Sequence, residues 1–455
     1  MRRITGSHVS LEMLLLWLVE FLLCCFVFYV LLLPSHPDGA VIGVPANPLV
    51  TAQHAALLAM TIGTISICIG LYRPEICMRT RRLLSNTLVA GLVAFPAVLL
   101  VCTAAGIDLD FLLGRDALWP MKILICWIIL LCSTRLLFRA ILHLGLLTRR
   151  VLIVSASLAG TATRIADAMC SVRHGSFRVA AVIAAPEAAA LTAAGLRQDR
   201  IWGVIHADIG AMPMSAASVI AGARLRCFTP VEFCEQQLRR LDLAELRHGW
   251  LRDAIGLSCS PAAGAVRRAG EIVVSLAILS FSLPVLLLAV LAIKLDSPGP
   301  VLYRQERVGL NGRRITLLKL RSMRVDAEVA GPAWASTRDP RVTRVGAFLR
   351  RSRVDELPQL FNVLVGDMGI VGPRPERPHF VEQLAQVIPF YADRALVKPG
   401  VTGWAQVNYP YGASIEDARQ KLAFDLYYVK HRSLFLDLLI LVATVRVIVF
   451  QEGSR

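Results

Sequence analysis

Charge is scarce in this chain. Only 18% of its 455 residues are Asp, Glu, Lys or Arg, against 55% hydrophobic, where ordinary soluble domains carry about a quarter charged. Mean hydropathy is +0.58. So much apolar content must be buried in lipid as well as in a core. Cysteine is missing from the last part of the chain: none follows Cys259, and no CxxC pair occurs anywhere. A zinc or dithiol site in the C-terminal third is excluded on ligand supply. Many of the cysteines present, such as Cys24, Cys25, Cys68, Cys102, Cys126 and Cys132, lie in apolar runs and read as small hydrophobes. Nucleic acid is not an expected partner either. The net charge of +16 suits anions, but the basic residues are not interleaved with aromatics and no nucleic-acid motif is present. Lipid headgroups and phosphorylated substrates fit better.

Long apolar runs are what the chain has instead. Four open it: Leu11–Leu33, Thr51–Leu71, Leu83–Gly106 and Ala117–Ser133. Each is near the ~20 residues that cross a bilayer as a helix. The first is too long for a cleaved signal, and more follow. It contains Glu20, expected to face neighbouring helices, with a lipid or proton site as the alternative. Arginines cluster before the first run (Arg2, Arg3), after the second (Arg73, Arg79, Arg81, Arg82) and after the fourth (Arg135, Arg139, Arg149, Arg150), whereas residues 34–50 hold no Lys or Arg. The positive-inside rule then puts both ends of a four-span unit in the cytoplasm.

Residues from about 150 to 260 read as α/β. Val151–Val154 looks like a buried strand, and a turn at 155–160 leads into a helix. This resembles the start of a dinucleotide-binding fold, but Ser and Ala replace most of the glycines, and only Gly160 remains. A structural or regulatory Rossmann-like domain is expected. A fifth apolar run, Ile272–Ile293, has Pro284 at its middle, where a kink or break follows from the lost N–H. Basic segments flank both of its ends, which favours a helix that enters the membrane and returns to the same face.

From Lys294 onward the chain is dense in Arg, Asp, Glu, Gly and Pro. Asp355 and Glu356 are adjacent, just before Pro358, a residue that suits an early helical position. Neighbours on a helix point about 100° apart, so the two acids divide their work. A helix dipole and nearby arginines would keep Asp355 ionised. A carboxylate of this kind can attack phosphorus and form an acyl phosphate. Forked guanidiniums such as Arg350 and Arg374 suit phosphate. Mg²⁺ would need one or two carboxylates plus substrate phosphates. Taken alone, an Asp-Glu pair is also an ordinary capped helix start.

The ordered motifs 296–300, 304–309, 319–323, 350–360, 366–368, 371–376 and 398–404 decide between these. From about Arg267 onward the chain resembles the bacterial sugar transferase family, the monotopic polyprenyl-phosphate phosphoglycosyl transferases. The preceding segments resemble its large-form members. Residues 409–414 further resemble an exopolysaccharide subgroup associated with exosortase systems. The resemblance implies that Asp355 attacks the β-phosphate of a UDP-sugar and releases UMP. Undecaprenyl phosphate would then take up the sugar phosphate. Glu356, with Asp355, would hold Mg²⁺. Lys319, Arg321, Arg350, Pro373, Arg374, Pro375 and Glu376 match substrate-binding positions. The family's membrane helix breaks at Ser-Pro, whereas here Leu283 precedes Pro284 and Ser282 lies one residue earlier; Val354 stands where Leu or Ile is usual.

The expected fold is therefore a membrane α-helical bundle of four spans (1–149), a Rossmann-like α/β cytoplasmic domain (150–262) and a mainly α monotopic catalytic domain (263–455) with a re-entrant helix at 270–294. The expected setting is the bacterial inner membrane, with catalysis on the cytoplasmic face and inner-membrane lipid as a partner. Glucose or galactose phosphate is the expected cargo, and a homodimer is compatible. Leu434–Phe450, interrupted by Asp437 and Arg446, suits an interfacial helix. Two other readings exist: a nucleotide-sensing scaffold without transferase activity, and a conventional glycosyltransferase using Asp108-Leu109-Asp110.

Overall fold

A computed structural model describes residues 11–32, 48–69, 71–72, 80–104, 119–143, 149–155, 160–171, 177–206, 212–246, 261–325, 327, 339–409, 412 and 414–449. The Asp108-Leu109-Asp110 triplet, the turn at 156–159 and most of 410–413 lie outside these. The chain divides into two compact units: Met1–Val151 with Arg173–Ala180 and Arg200–Trp202, and Leu152–Val172, Ala181–Asp199 and Gly203–Arg455.

The first unit is built on four apolar helices: α1 (Leu11–Leu32), α2 (Pro48–Cys68), α3 (Thr80–Ala104) and α4 (Trp119–His143). They close a ring in which α1 touches α2 and α4, and α3 touches α2 and α4. Among the described residues, Pro48–Cys68 and Pro261–Asp296 are the two helices long and apolar enough to cross a membrane.

Glu20 is only 1% exposed and has a partner that sequence spacing does not show. Arg135 Nη2 donates to Glu20 Oε2 at 2.9 Å, and Thr134 Oγ1 donates to Oε1 at 2.7 Å. Arg135 also donates to the Leu71 carbonyl and lies over the Tyr72 ring. This corrects the reading of Arg135 as a residue beyond the fourth run. Helix α4 extends to His143, and Arg135 is a buried member of the bundle.

Strands β1 (Arg149–Ser155), β2 (Phe177–Ala184), β3 (Ile201–His206) and β4 (Arg226–Phe228) form a sheet in the order β2-β1-β3-β4, with β3 and β4 parallel. After β4 a helical turn, Pro230–Phe233, is capped by Thr229 and continues as a π-turn, Cys234–Leu238. The chain then enters the C-terminal core. Leu241 belongs to the same apolar cluster as Met368, Trp404 and Tyr428. Its N–H donates to the Ala423 carbonyl, Trp404 Nε1 donates to the Arg239 carbonyl, and Glu235 pairs with Lys430 and His431. Packing of the C-terminal module thus begins upstream of the expected boundary at 262.

Helix α5 here denotes the long Pro261–Asp296 segment, which runs unbroken through Pro284. The expected interruption is absent. Ser282 Oγ reaches the Leu279 carbonyl at 3.4 Å, not the Ser280 carbonyl that a proline at 284 leaves without its helical donor. None of residues 276–288 is buried, and Phe281 is 89% exposed. Both ends are anchored. Arg268 donates to the Val363 and Leu364 carbonyls, while Ala289 and Ile293 pack with Leu320 and Leu349.

A hairpin follows, with β5 (Leu302–Val308) antiparallel to β6 (Arg314–Leu320). Next come α6 (Arg344–Ser352), α7 (Gln359–Val365), β7 (Gly369–Val371), α8 (Pro378–Val387), β8 (Gly400–Thr402), α9 (Trp404–Asn408), α10 (Ile415–His431) and α11 (Leu434–Val449). Asp437 does not interrupt α11. It is buried in the first turn, where Arg267 Nε donates to it at 2.7 Å and the Tyr428 hydroxyl lies 2.8 Å away.

Candidate active site

Asp355 and Glu356 occupy a short 3₁₀ turn, Val354–Glu356, wedged between α6 and α7. Arg353 ends α6 in the left-handed region at φ 60°. A non-glycine residue there costs on the order of 1 kcal/mol or more. The turn it makes directs the chain inward, so that Asp355 is buried at 7% exposure. Pro358 then leads into α7, as the sequence suggested.

Two contacts hold the elements around the turn. On α7, Asn362 acts as a surrogate strand: its Nδ2 donates to the Thr316 carbonyl at 2.7 Å and its Oδ1 accepts from Leu318 N–H at 3.1 Å. That fixes β6, and with it Lys319, beside the turn. Helix α6 is held close to the end of β6 at Gly346, where a Cβ would stand 1.9 Å from the Ser322 carbonyl oxygen. Neither Asn362 nor Gly346 carries a sequence signal of function; only contacts between distant parts of the chain reveal them.

Glu356 is surrounded by cations. Arg374 Nη2 donates to its Oε1 at 2.6 Å, Lys319 Nζ reaches the same oxygen at 3.3 Å, and Arg353 Nη1 stands 3.7 Å from Oε2. Burial would raise this carboxyl, but Arg374, Lys319 and Arg353 outweigh it and hold Glu356 well below the usual carboxylate range. Asp355 moves the other way. Burial, and then the adjacent Glu356 charge, push it up to about 6 against the pull of Lys319, Arg350 and Arg374. The arginines do not hold Asp355 below the usual carboxylate range, because burial is the larger effect, although a group near 6 is still ionised at neutral pH. Burial also lowers Lys319, with Glu356 opposing.

The structure gathers most of the expected residues on one cavity of about 640 Å³, lined by Asp355, Glu356, Lys319, Arg321, Arg350, Arg374 and Glu376 but not by Pro373 or Pro375. Arg321 stands apart in its bonding. It is 6% exposed and spends its guanidinium on the Pro298 carbonyl and on the carbonyl and hydroxyl of Ser297. It ties β6 to the chain leaving α5. Ser282 and Pro284 lie on α5, in the stretch of 276–288 where nothing is buried.

The Pro373-Arg374-Pro375 loop sits at the end of β7, which pairs in parallel with β8. Gly372 and Gly400 allow the two strands to meet: a Cβ on Gly400 would fall 2.1 Å from the Gly372 nitrogen. The two glycine-proline motifs are therefore one interlocked unit. Behind the loop lie Arg307, from the 304–309 motif, and three residues not anticipated from sequence: Tyr391, Arg394 and Asp425. Arg394 Nη2 bonds Asp425 Oδ2 at 2.7 Å and the Arg374 carbonyl at 3.1 Å.

Two adjacent carboxylates, lysine and arginines on one cavity suit Mg²⁺, an ion that takes one or two carboxylates and completes its shell with phosphate and water oxygens. Among the described residues no group of three or more His, Cys, Asp or Glu side chains that could hold a metal ion exists. The arrangement can bind a diphosphate, offset its charge and present a carboxylate to phosphorus.

The model of the family described as bacterial sugar transferase matches residues 262–451. The chain is 45% identical over 196 residues to the UDP-N-acetylgalactosamine-undecaprenyl-phosphate N-acetylgalactosaminephosphotransferase of Aeromonas hydrophila, covering 43% of this chain and 46% of that protein. It is 46% identical over 182 residues to the UDP-glucose:undecaprenyl-phosphate glucose-1-phosphate transferase of Escherichia coli (strain K12), covering 40% and 39%. It is 45% identical over 189 residues to the exopolysaccharide production protein PSS of Rhizobium leguminosarum bv. phaseoli, covering 40% of this chain and 93% of that one. The match spans less than half of the first two relatives and nearly all of the third, and it contains the whole of the cavity described above, so the chain belongs to the bacterial sugar transferase family.

Proposed function

We propose that this protein transfers a sugar 1-phosphate from a UDP-sugar to undecaprenyl phosphate and so initiates exopolysaccharide synthesis. The observation that carries this is the pairing of a buried, weakly acidic Asp355 with a cation-bound Glu356 in a basic cavity. The relatives' names support the substrate classes. A carboxylate with a pKa near 6 is ionised at neutral pH yet more basic than an ordinary aspartate, which favours it as a nucleophile. An Asp355 oxygen attacks the sugar-bearing phosphorus, the bond to the α-phosphate bridge breaks, and UMP departs. A phosphate oxygen of the lipid then attacks the same phosphorus and frees Asp355. Lys319, Arg350 and Arg374 offset the phosphate charge in both steps. Mg²⁺, held by Glu356 and Asp355, would supply further neutralisation of the diphosphate.

The elements around the site support a membrane setting for this reading. The α1–α4 ring is read as a four-span bundle, and the β2-β1-β3-β4 order as a Rossmann-like domain whose switch point lies between β1 and β3. Helix α5 would be ~54 Å long if straight, against a ~30 Å hydrocarbon core. Both of its ends pack on the catalytic module and its apolar middle is exposed, which supports a bent, re-entrant course from the cytoplasmic face of the inner membrane. Release of UMP from a panel of UDP-sugars, with undecaprenyl phosphate and Mg²⁺, tests the reading. No release from any of them would reject it and favour a scaffold role.

A further inference from the structure

Residues 373–376 form neither helix nor strand, and two of the four are prolines with no N–H to donate. Such a loop has to be held through its carbonyls, and all four accept a bond from outside it. Pro373 O accepts from Gly400 N–H at 2.9 Å, Arg374 O from Arg394 Nη2 at 3.1 Å, Pro375 O from Arg307 Nη1 at 3.0 Å, and Glu376 O from Val308 N–H at 2.9 Å. Two of the four donors are backbone amides of neighbouring strands. The other two are arginine side chains, which no regular structure requires there.

Arg394 reaches nearest the chemistry, because its acceptor is the carbonyl of Arg374 itself. It is held in turn by three groups. Nη2 donates to Asp425 Oδ2 at 2.7 Å, Nη1 donates to the Tyr391 hydroxyl at 2.9 Å, and Glu376 Oε1 stands 3.9 Å from Nη1. Asp425 is 2% exposed on α10. Arg374 is thus fixed at both ends, its backbone by Arg394 and its guanidinium by Glu356 at 2.6 Å. A buried arginine–aspartate pair is a weak source of net stability, since desolvation offsets most of the attraction. Its geometric effect is larger: it sets where the Arg374 fork can reach.

We propose that Arg394, gripped by Asp425, is a positioning residue that holds the backbone of Arg374 so that its guanidinium meets Glu356 and the phosphates of the donor substrate. The inference rests on the transferase reading for its kinetic consequence, and on geometry alone for its structural one. A misplacement of about 1 Å at such a group can cost up to about 100-fold in rate.

Arg394→Lys keeps the charge facing Asp425 but removes the fork, so it is the variant to use. We expect it to lower kcat/KM by about tenfold or more in the wild-type background and by less than about twofold in an Arg374→Ala background, because a residue that acts through Arg374 has nothing left to position. Equal losses in both backgrounds, or no loss in the wild type, would overturn the proposal. A structure of the Arg394→Lys variant decides it without an assay. The expected result is loss of the Arg374–Glu356 contact with the Gly400–Pro373 and Val308–Glu376 bonds retained; an intact Arg374–Glu356 contact would overturn it. An inactive wild-type protein would instead count against the transferase reading, and the structural arm would still stand.

Discussion

Asp355 and Glu356 are neighbours in the chain whose carboxyls are driven in opposite directions, one up to about 6 by burial and the other's charge, one far down by Arg374, Lys319 and Arg353. The two acids are thereby made unequal: Glu356 is held as the anion, and Asp355 is the more basic carboxylate, titrating in the weakly acidic range.

The rate of transfer is therefore expected to depend on one ionisation in the weakly acidic range. On the proposed mechanism Asp355 attacks as the carboxylate, so activity should be full above about pH 7 and fall about tenfold per pH unit well below 6. A pH–rate profile of kcat/KM measures this. A profile flat down to pH 4 would show that Asp355 is not the group that must ionise.

Stability should respond with the opposite sign. The folded-state value of Asp355, about 6, lies above its ordinary 3.8, so its ionised form is disfavoured by folding. The penalty is absent below about pH 4, where the group is protonated in both states, and complete above about 6. It is worth roughly 3 kcal/mol. Asp355→Asn is expected to abolish turnover and yet raise the thermal midpoint at pH 7.5, with the gain gone at pH 4. Thermal unfolding in detergent reads both pH values.

In the helical ring, Glu20 and Arg135 are each 1% exposed and bonded to one another at 2.9 Å. Removing one partner leaves the other buried without its counter-charge, at a cost of about 3 kcal/mol or more. Glu20→Gln should thus lower the thermal midpoint clearly, and Glu20→Gln with Arg135→Gln should recover part of the loss. A double variant less stable than either single one would contradict the pairing.

The course of helix α5 is open to labelling. In a cysteine-free background, Ala265→Cys and Pro298→Cys flank the exposed apolar stretch. A re-entrant helix predicts that a membrane-impermeant maleimide, applied from outside to sealed spheroplasts, labels neither, and that inverted vesicles label both. Labelling of one position from each side would establish a full span.

Much of this site is legible in the sequence. Asp355, Glu356, Lys319, Arg350 and Arg374 share short ordered motifs, and the structure brings them to one cavity. What escapes is carried by long-range contact. Glu20 looks unpartnered because Arg135 lies 115 residues away. Arg394 and Asp425 look like unremarkable surface charges, and only burial behind the Pro-Arg-Pro loop shows what they hold. The titration of Asp355 escapes for the same reason: charges nearby in sequence are visible, whereas the desolvation that outweighs them is not. Helix α5 was expected to kink or break at Pro284, and it continues as helix through that residue; a single missing N–H in a long helix can kink it without ending it.

The central claim is that Asp355 carries the sugar phosphate between donor and acceptor. Intact-mass measurement of the purified protein, incubated with its UDP-sugar and Mg²⁺ but no lipid acceptor, tests it most directly. A mass increase of one sugar phosphate is predicted, localised to Asp355 on peptide mapping, absent from Asp355→Asn and discharged on addition of undecaprenyl phosphate. Full turnover by Asp355→Asn, or a wild-type enzyme that makes product while the adduct lies on another residue, would contradict it.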